Sequence, residues 1–237
     1  MRLDKFISDM GLASRRECAT LAKRGQILVD GKAVKQPSEH IDPERQTVTF
    51  CGRVIEYARF TYVMLNKPTG YVSATEDGNF PVVTELLPDE LRRRDLFPAG
   101  RLDKDTTGLM ILTNDGVLAH ALLSPKRHVE KLYRFRCAEP MREGSEEYFS
   151  TGATLADGYE CKSATLVCDP DRLGGTITLT EGKYHQIKRM VASSGFNKVT
   201  ELSRLSFGGI ELDPALAPGE WRPLTDSEIV HLRSQTE

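Results

Sequence analysis

Residues 97–116 read FPAGRLDKDTTGLMILTNDG. Apolar ends flank a polar centre in which Arg101, Asp103, Lys104, Asp105, Thr106 and Thr107 stand between Gly100 and Gly108. Glycine at both limits permits the tight backbone of a loop. Leu109–Leu112 then read as a short buried strand, and Asn114-Asp115-Gly116 as a hairpin turn. A loop that crowds two carboxylates against a lysine and an arginine is either a solvated turn or a place where a carboxylate does chemistry.

Outward from that loop, the composition bounds the choice. A chain of 237 residues predicts one large domain or two unequal ones. No apolar run approaches the ~18 residues of a membrane span, and MRLDKFISDM lacks the apolar core of a signal peptide. The five cysteines are an odd number without a C-x-x-C pair or a neighbouring histidine pair, against both a disulfide framework and zinc. His120, His128 and His185 have no metal-ligand spacing and read as surface or hydrogen-bonding residues. A cytoplasmic protein with no metal, no cofactor and no membrane partner is expected.

The net charge of −2 conceals a pattern. Residues 1–35 hold eight basic side chains against four acids, and residues 121–136 hold five against one. Such local excess suits a nucleic-acid partner, although solvated faces also collect charge.

In the N-terminal part, Leu3, Phe6, Ile7 and Met10 share one helical face, ended by Gly11. Ser14-Arg-Arg-Glu17 is a capping box that opens a second helix with Cys18, Leu21 and Ala22 on its apolar stripe. QILVDGKAV reads as two strands around an Asp30-Gly31 type I′ turn, and QTVTFCGRVI adds further strand. Arg15 and Arg16 occupy the first turn of the second helix, where the macrodipole disfavours cations, so contact with phosphate explains them better than local stability does.

RLDKF, GLASRRE and GQILVDGKAV together are similar to the S4 RNA-binding domain, a helix–helix–hairpin module. The resemblance implies that residues 1–58 grip structured RNA by backbone and shape, through Arg2, Lys5, Arg15, Arg16, Lys23, Arg24 and Lys32. Residues 59–61 would be a linker to a larger domain at 62–237.

In that domain YVMLNKPTGYV is a strand broken by a turn, with Lys67 at its mouth. EKLYRF and GGTITLTEG alternate as strands, YHQIKRMVASSG reads as a helix ended by Gly195, and VTELSRLSFGGIEL is a strand pair. Thr225-Asp-Ser-Glu228 is a second capping box before a C-terminal helix. Walker, Rossmann, H-E-x-x-H and G-x-S-x-G patterns are absent. An enzyme of this composition would rely on carboxylate, lysine or tyrosine.

Four blocks, NKPTG at 66–70, GRLDKDTTGL at 100–109, KLY at 131–133 and EGKYHQIKRM at 181–190, resemble the motifs of pseudouridine synthases. The similar group is that of the small-ribosomal-subunit enzymes and their large-subunit relatives, and with the S4 module the resemblance spans nearly the whole chain. It implies an α+β protein: a small S4-like α/β module, then a catalytic domain with a mixed, largely antiparallel sheet flanked by helices. It also implies isomerisation of a uridine in ribosomal RNA without cofactor.

By motif position the catalytic aspartate is Asp103, with Asp105 supporting the turn. Lys188 would be its cationic partner, needed because a buried carboxylate otherwise loses its charge. Arg189, about 100° further round the helix, is the alternative partner. Tyr133 would stack on the flipped base and take part in proton removal, Arg101 would contact phosphate or aid base flipping, and Leu202 would line the base pocket. Lys67 would contribute loop structure and RNA contact. The form HQIKRM, closer to that of the small-subunit enzymes, suggests a single site in 16S rRNA; a small-subunit assembly intermediate as partner and a monomeric enzyme are expected with it. The rivals are a large-subunit (23S) enzyme, a non-catalytic assembly factor, and a hydrolase using Asp103 and Asp105 as an acid/base pair.

Overall fold

The structure, a computed structural model, describes residues 1–195 and 197–236. The chain divides into two compact units: Met1–Thr61 with Leu87–Leu96, and Tyr62–Leu86 with Phe97–Glu237.

The first unit starts with α1 (Leu3–Asp9) and α2 (Arg15–Lys23). The capping box forms: Glu17 N donates to Ser14 Oγ at 3.3 Å and Ser14 N to Glu17 Oε2 at 2.8 Å. Strands β1 (Ile27–Val29), β2 (Lys32–Ala33), β3 (Val48–Phe50) and β4 (Arg53–Ile55) make an antiparallel sheet in the order β2-β1-β3-β4. Asp30 and Gly31 have φ of 51° and 77°, as a type I′ turn requires. Cys51 and Gly52, at 50° and 82°, repeat the device between β3 and β4, a second hairpin that the sequence reading did not specify. Leu3, Phe6, Ile7, Cys18, Ala22, Ile27 and Val48 form the core.

The short helix α3 (Asp89–Arg92) belongs to this unit, although residues 62–86 of the second unit separate it in the chain from Thr61. Gly11 (φ 72°) admits it, since a Cβ there would stand 2.1 Å from Glu90 O. Arg94 Nη2 donates to Ala58 O at 2.5 Å. The first unit is therefore discontinuous in sequence, whereas a reading from the N-terminus expects one boundary at 59–61.

The second unit contains β5 (Tyr62–Lys67), a 3-10 turn at Val83–Leu86, β6 (Phe97–Pro98), β7 (Thr107–Thr113), α4 (Gly116–Leu123) and β8 (Lys131–Cys137). It continues with α5 (Ser145–Ser150), β9 (Thr165–Cys168), β10 (Gly174–Leu179), α6 (Gln186–Ser193), β11 (Val199–Phe207), β12 (Ile210–Glu211), β13 (Trp221–Pro223) and α7 (Asp226–Ser234). Among the described residues the sheet runs β13-β5-β7-β11-β8-β10-β9, with β12 on β11 and β6 on β7. Its β7–β11 pair is parallel and the other pairs are antiparallel. This is the mixed, largely antiparallel α+β architecture expected.

Asn114-Asp115-Gly116 departs from expectation. It opens α4 instead of turning a hairpin: Asp115 Oδ1 accepts from Leu118 N at 3.1 Å and Oδ2 from the Tyr62 hydroxyl at 2.7 Å. Asp-Gly serves a hairpin or a helix N-cap equally well, and here the buried tyrosine on β5 holds the carboxylate in the cap. Gly108 (φ 98°) is required where β7 meets β11, because a Cβ would lie 2.3 Å from Arg204 O. Among the described residues no helix is long and apolar enough to cross a membrane.

Candidate active site

The loop 100–107 is held from beneath by the first of the four blocks. Lys67, the last residue of β5, is fully buried. Its Nζ donates to the carbonyls of Thr106 (2.8 Å), Pro68 (3.0 Å), Asp103 (3.1 Å) and Lys104 (3.4 Å). Gly70 N donates to Lys104 O at 2.8 Å. The Ser73 hydroxyl accepts from Leu102 N at 2.9 Å and donates to Leu102 O at 2.7 Å. NKPTG and GRLDKDTTGL thus make one object, a loop whose carbonyls point inward so that its carboxylates point out.

The fourth block supplies the other wall. Glu181, buried, accepts from Gln186 Nε2 (2.6 Å), Lys162 N (2.9 Å) and the Tyr159 hydroxyl (2.9 Å). Gln186 Oε1 accepts from Lys183 N at 2.8 Å, which fixes the turn before α6. His185, at φ 48°, precedes that helix, and its ring stacks on Tyr184 at 3.8 Å between centroids. From α6, Lys188 Nζ reaches Asp105 Oδ1 at 2.6 Å and Asp103 Oδ2 at 3.1 Å. His185 Nε2 stands 3.6 Å from Asp103 Oδ1.

Burial works against the charge on Lys188, but its hydrogen bonds to Asp105 and Asp103 outweigh that and hold its pKa above the ordinary lysine value. The hydrogen bond from Lys188 holds Asp105 below the ordinary carboxylate range. The two aspartates differ in exposure: the Asp103 side chain is 28% exposed and that of Asp105 is 71% exposed. Asp103 lines the cavity behind the loop, a space of about 490 Å³ within the range of small-molecule sites.

The cavity brings together Arg101, Asp103, Tyr133 and Leu202 of the residues singled out from sequence, with Lys188 at its edge pairing Asp103. Tyr133 on β8 lies opposite Arg204 on β11, and both it and Leu202 are buried apart from the faces they turn to the cavity. Two expected substrate contacts lie elsewhere. Lys67 is occupied by loop carbonyls beneath the site and has no exposed surface with which to meet RNA. Arg189 is ion-paired with Asp157 on the outside of α6 and does not line the cavity. In the first unit Lys5, Arg15, Arg16, Lys23, Arg24 and Lys32 are exposed, whereas Arg2 is engaged by Asp4 through hydrogen bonds of 2.6 and 3.0 Å.

The sequence reading missed Lys131, Arg204, Glu181 and His185. Strand alternation carried a signal for the first two: Lys131 stands two residues before Tyr133, and Arg204 two after Leu202, so each shares its neighbour's face. The left-handed backbone of His185 left no such trace. The second basic stretch is also quieter than its composition suggests: Arg134 forms a bidentate pair with Asp169 at 2.6 and 2.7 Å, and Arg136 faces Asp169 and Asp171. Among the described residues, no group of three or more His, Cys, Asp or Glu side chains is placed to hold a metal ion.

Chemically the cavity offers a carboxylate held beside a cation, an aromatic wall and an apolar wall. Such a site suits a planar ring held between the walls with a carboxylate beside it. Comparison with known proteins identifies the family. Residues 61–193 match the family described as RNA pseudouridylate synthase, and residues 1–46 match the S4 domain. The chain is 46% identical to "Uncharacterized RNA pseudouridine synthase YtzG" of Bacillus subtilis (strain 168), covering 100% of both chains. It is 43% identical to "Ribosomal small subunit pseudouridine synthase A" of Yersinia pestis, covering 97% of each. The protein of that name from Escherichia coli (strain K12) is 41% identical, over 97% of this chain and 98% of the other. A solved structure described as "Crystal structure of pseudouridylate synthase" superposes with a TM-score of 0.69 at 37% identity, covering 98% of this chain and 99% of that one.

Proposed function

The chain belongs to the RNA pseudouridylate synthase family and is an RNA pseudouridine synthase with an S4 domain; on that premise we propose that it converts one uridine of 16S rRNA to pseudouridine, with Asp103 as the nucleophile. The observation that carries this reading is the ion pair of Lys188 Nζ with Asp103 at 3.1 Å, formed where the carboxylate meets the cavity walled by Tyr133 and Leu202. Lys188 holds the Asp103 carboxylate in place beside the base. Tyr133 stacks on the extruded uracil and assists removal of the C5 proton, Arg101 at the cavity rim helps hold the flipped nucleotide, and Leu202 packs on the base.

Ribosomal RNA as substrate is supported by the small-subunit enzymes of about 40% identity, whose coverage extends over nearly the whole chain. The form HQIKRM supports the small subunit over the large, whose enzymes often carry N-R-Q-[IV]-R-R at that block. The exposed cations of the first unit would hold the RNA by its backbone, raising the effective concentration of the target uridine at the cavity. The enzyme acts in the cytoplasm as a monomer, on a small-subunit assembly intermediate.

Unmodified 16S rRNA, alone and with small-subunit proteins bound, is incubated with the protein and with Asp103→Asn, and pseudouridine is mapped by carbodiimide-dependent reverse-transcription stops. One new stop with the wild type and none with the variant is expected. A stop only in 23S rRNA would overturn the small-subunit assignment, and a stop that survives Asp103→Asn would overturn the nucleophile.

A further inference from the structure

Beneath Tyr133 the cavity holds two cations to which the mechanism above gives no role. Lys131 and Arg204 both line it, at 8% and 1% exposure. They come from neighbouring antiparallel strands, Lys131 opposite Phe207 and Arg204 opposite Tyr133. The Phe207 ring lies below both, 5.4 Å from Lys131 Nζ and 5.0 Å from the Arg204 guanidinium carbon. Burial pushes the Lys131 ammonium down to about 8, helped by repulsion from Arg204 and opposed by Glu181, so it remains a cation at neutral pH.

Among the described residues neither forms an ion pair. Lys131 Nζ donates to Val129 O at 2.8 Å, and Arg204 Nε to Leu109 O at 2.7 Å. Among the described residues Arg204 Nη2 has only the Met110 sulfur, at 4.0 Å, and no hydrogen bond of Nη1 is found. Glu181, the nearby carboxylate, is committed to Tyr159, Lys162 N and Gln186. The Thr106 hydroxyl, in the same cavity lining, is also buried without a partner. Two desolvated cations without a carboxylate are costly, and their spare donors face a space that a ligand enters.

We propose, building on the uridine-isomerase reading, that Lys131 and Arg204 form an anion-binding floor that holds the oxygen edge of the target uracil and stabilises the negative charge it carries during isomerisation. When the C1′–N1 bond breaks, its electron pair leaves with the base and spreads over O2 and O4. Addition of a carboxylate to C6 instead also drives charge onto O4, so the floor serves either route. Half a turn about the N3–C6 axis exchanges N1 with C5 and, with them, O2 with O4. The same two donors therefore meet an oxygen before and after the turn. On the C1′ route the C5 pair then forms the bond to C1′ as the Asp103 carboxylate leaves it; C5 loses its proton, N1 gains one, and the isomer results with no external reagent. The floor lies on the same sheet face as Tyr133 and Leu202, the walls for the base, which favours the base over a backbone phosphate as its occupant.

The test separates this from the choice of RNA. 5-Nitrouracil, an anion at neutral pH, and uracil, neutral there, are titrated calorimetrically into the full-length protein, Lys131→Met and Arg204→Met. The wild type is expected to prefer the anion at least tenfold, and each variant to lose the preference. Lys131→Arg keeps the charge and should keep the preference. If Arg204→Met does not fold, Lys131→Met, which replaces a buried ammonium stem with an apolar one of similar length, decides alone. No preference in the wild type, or an undiminished one in Lys131→Met, overturns the floor; so does displacement of nitrouracil by inorganic phosphate at equal concentration, which would mark a phosphate subsite. In single-turnover reactions on rRNA, Lys131→Met should slow conversion about 100-fold with RNA affinity within twofold of wild type. A wild type that prefers the anion yet modifies no ribosomal RNA would leave the floor standing and remove the substrate assignment.

Discussion

The cations of the first unit and those of the cavity share a composition and little else. Arg15, Arg16, Lys23, Arg24 and Lys32 stand in solvent, and among the described residues none of them forms an ion pair. Their charge is available over a long range and screened by salt, as suits a partner held by its phosphates. Lys67, Lys131 and Arg204 are buried, and each has a defined position. Lys67 spends its donors on the loop carbonyls, Lys188 spends its charge on two aspartates, and Lys131 and Arg204 keep donors in reserve. Counting basic residues treats these as one population, whereas solvation divides them into charges facing solvent, charges spent on scaffold and charges held at the cavity.

The largest way to sharpen this contrast is Lys67→Ala. It strands three loop carbonyls and that of Pro68 and opens a cavity, so a loss of about 3–5 kcal/mol is expected in denaturant unfolding. A loss below 1 kcal/mol would mean that the loop holds itself. Next comes pH. Lys67 and Lys131 both fall to about 8 in the folded chain from an ordinary 10.5. Between those values the unfolded chain keeps protons that the folded chain has released, so their contribution to stability rises with pH. Wild type should therefore gain about 1–3 kcal/mol relative to Lys131→Met between pH 7.5 and 10. A difference that stays flat would place Lys131 in better solvated surroundings.

Arg15→Ala with Arg16→Ala should leave stability within about 0.5 kcal/mol. RNA affinity should fall about tenfold, and the salt dependence should lose roughly 1.4–1.8 units of slope, two phosphate contacts' worth. An unchanged slope would break the assignment of these arginines to RNA. The smallest effect is that of Asp105→Asn. Lys188 holds Asp105 below the ordinary carboxylate range, so the pair stabilises above that range and is lost as pH falls through the folded value. With Asp105 largely in solvent, the substitution should cost under about 1 kcal/mol at pH 7, and urea titrations at pH 7 and pH 3 would read it.

Much of this was legible in the chain. The two capping boxes, the Asp30-Gly31 turn, the strand alternation of 131–137 and 174–179 and the helix after His185 are local patterns, and the structure contains them. Asp103, Tyr133 and Lys188 were legible through the separated blocks, Leu202 only through the wider resemblance outside them, and the four meet in space. What was not legible depended on distant partners. Asp115 became a helix cap because Tyr62 reaches it from another strand. Lys67 and Arg189 looked like RNA contacts because their burial by loop carbonyls and their pairing with Asp157 come from residues far away in the chain.

By itself, then, the sequence determined the order and kind of the elements and the residue types available for chemistry, since propensity, capping and alternation act over a few neighbours. Only the tertiary structure decided which charges are solvated, which are spent and which are held ready. The free energy of a charge depends on everything that surrounds it, and for Lys67, Lys131 and Arg204 those surroundings come from β5, β7, β8 and β11 together.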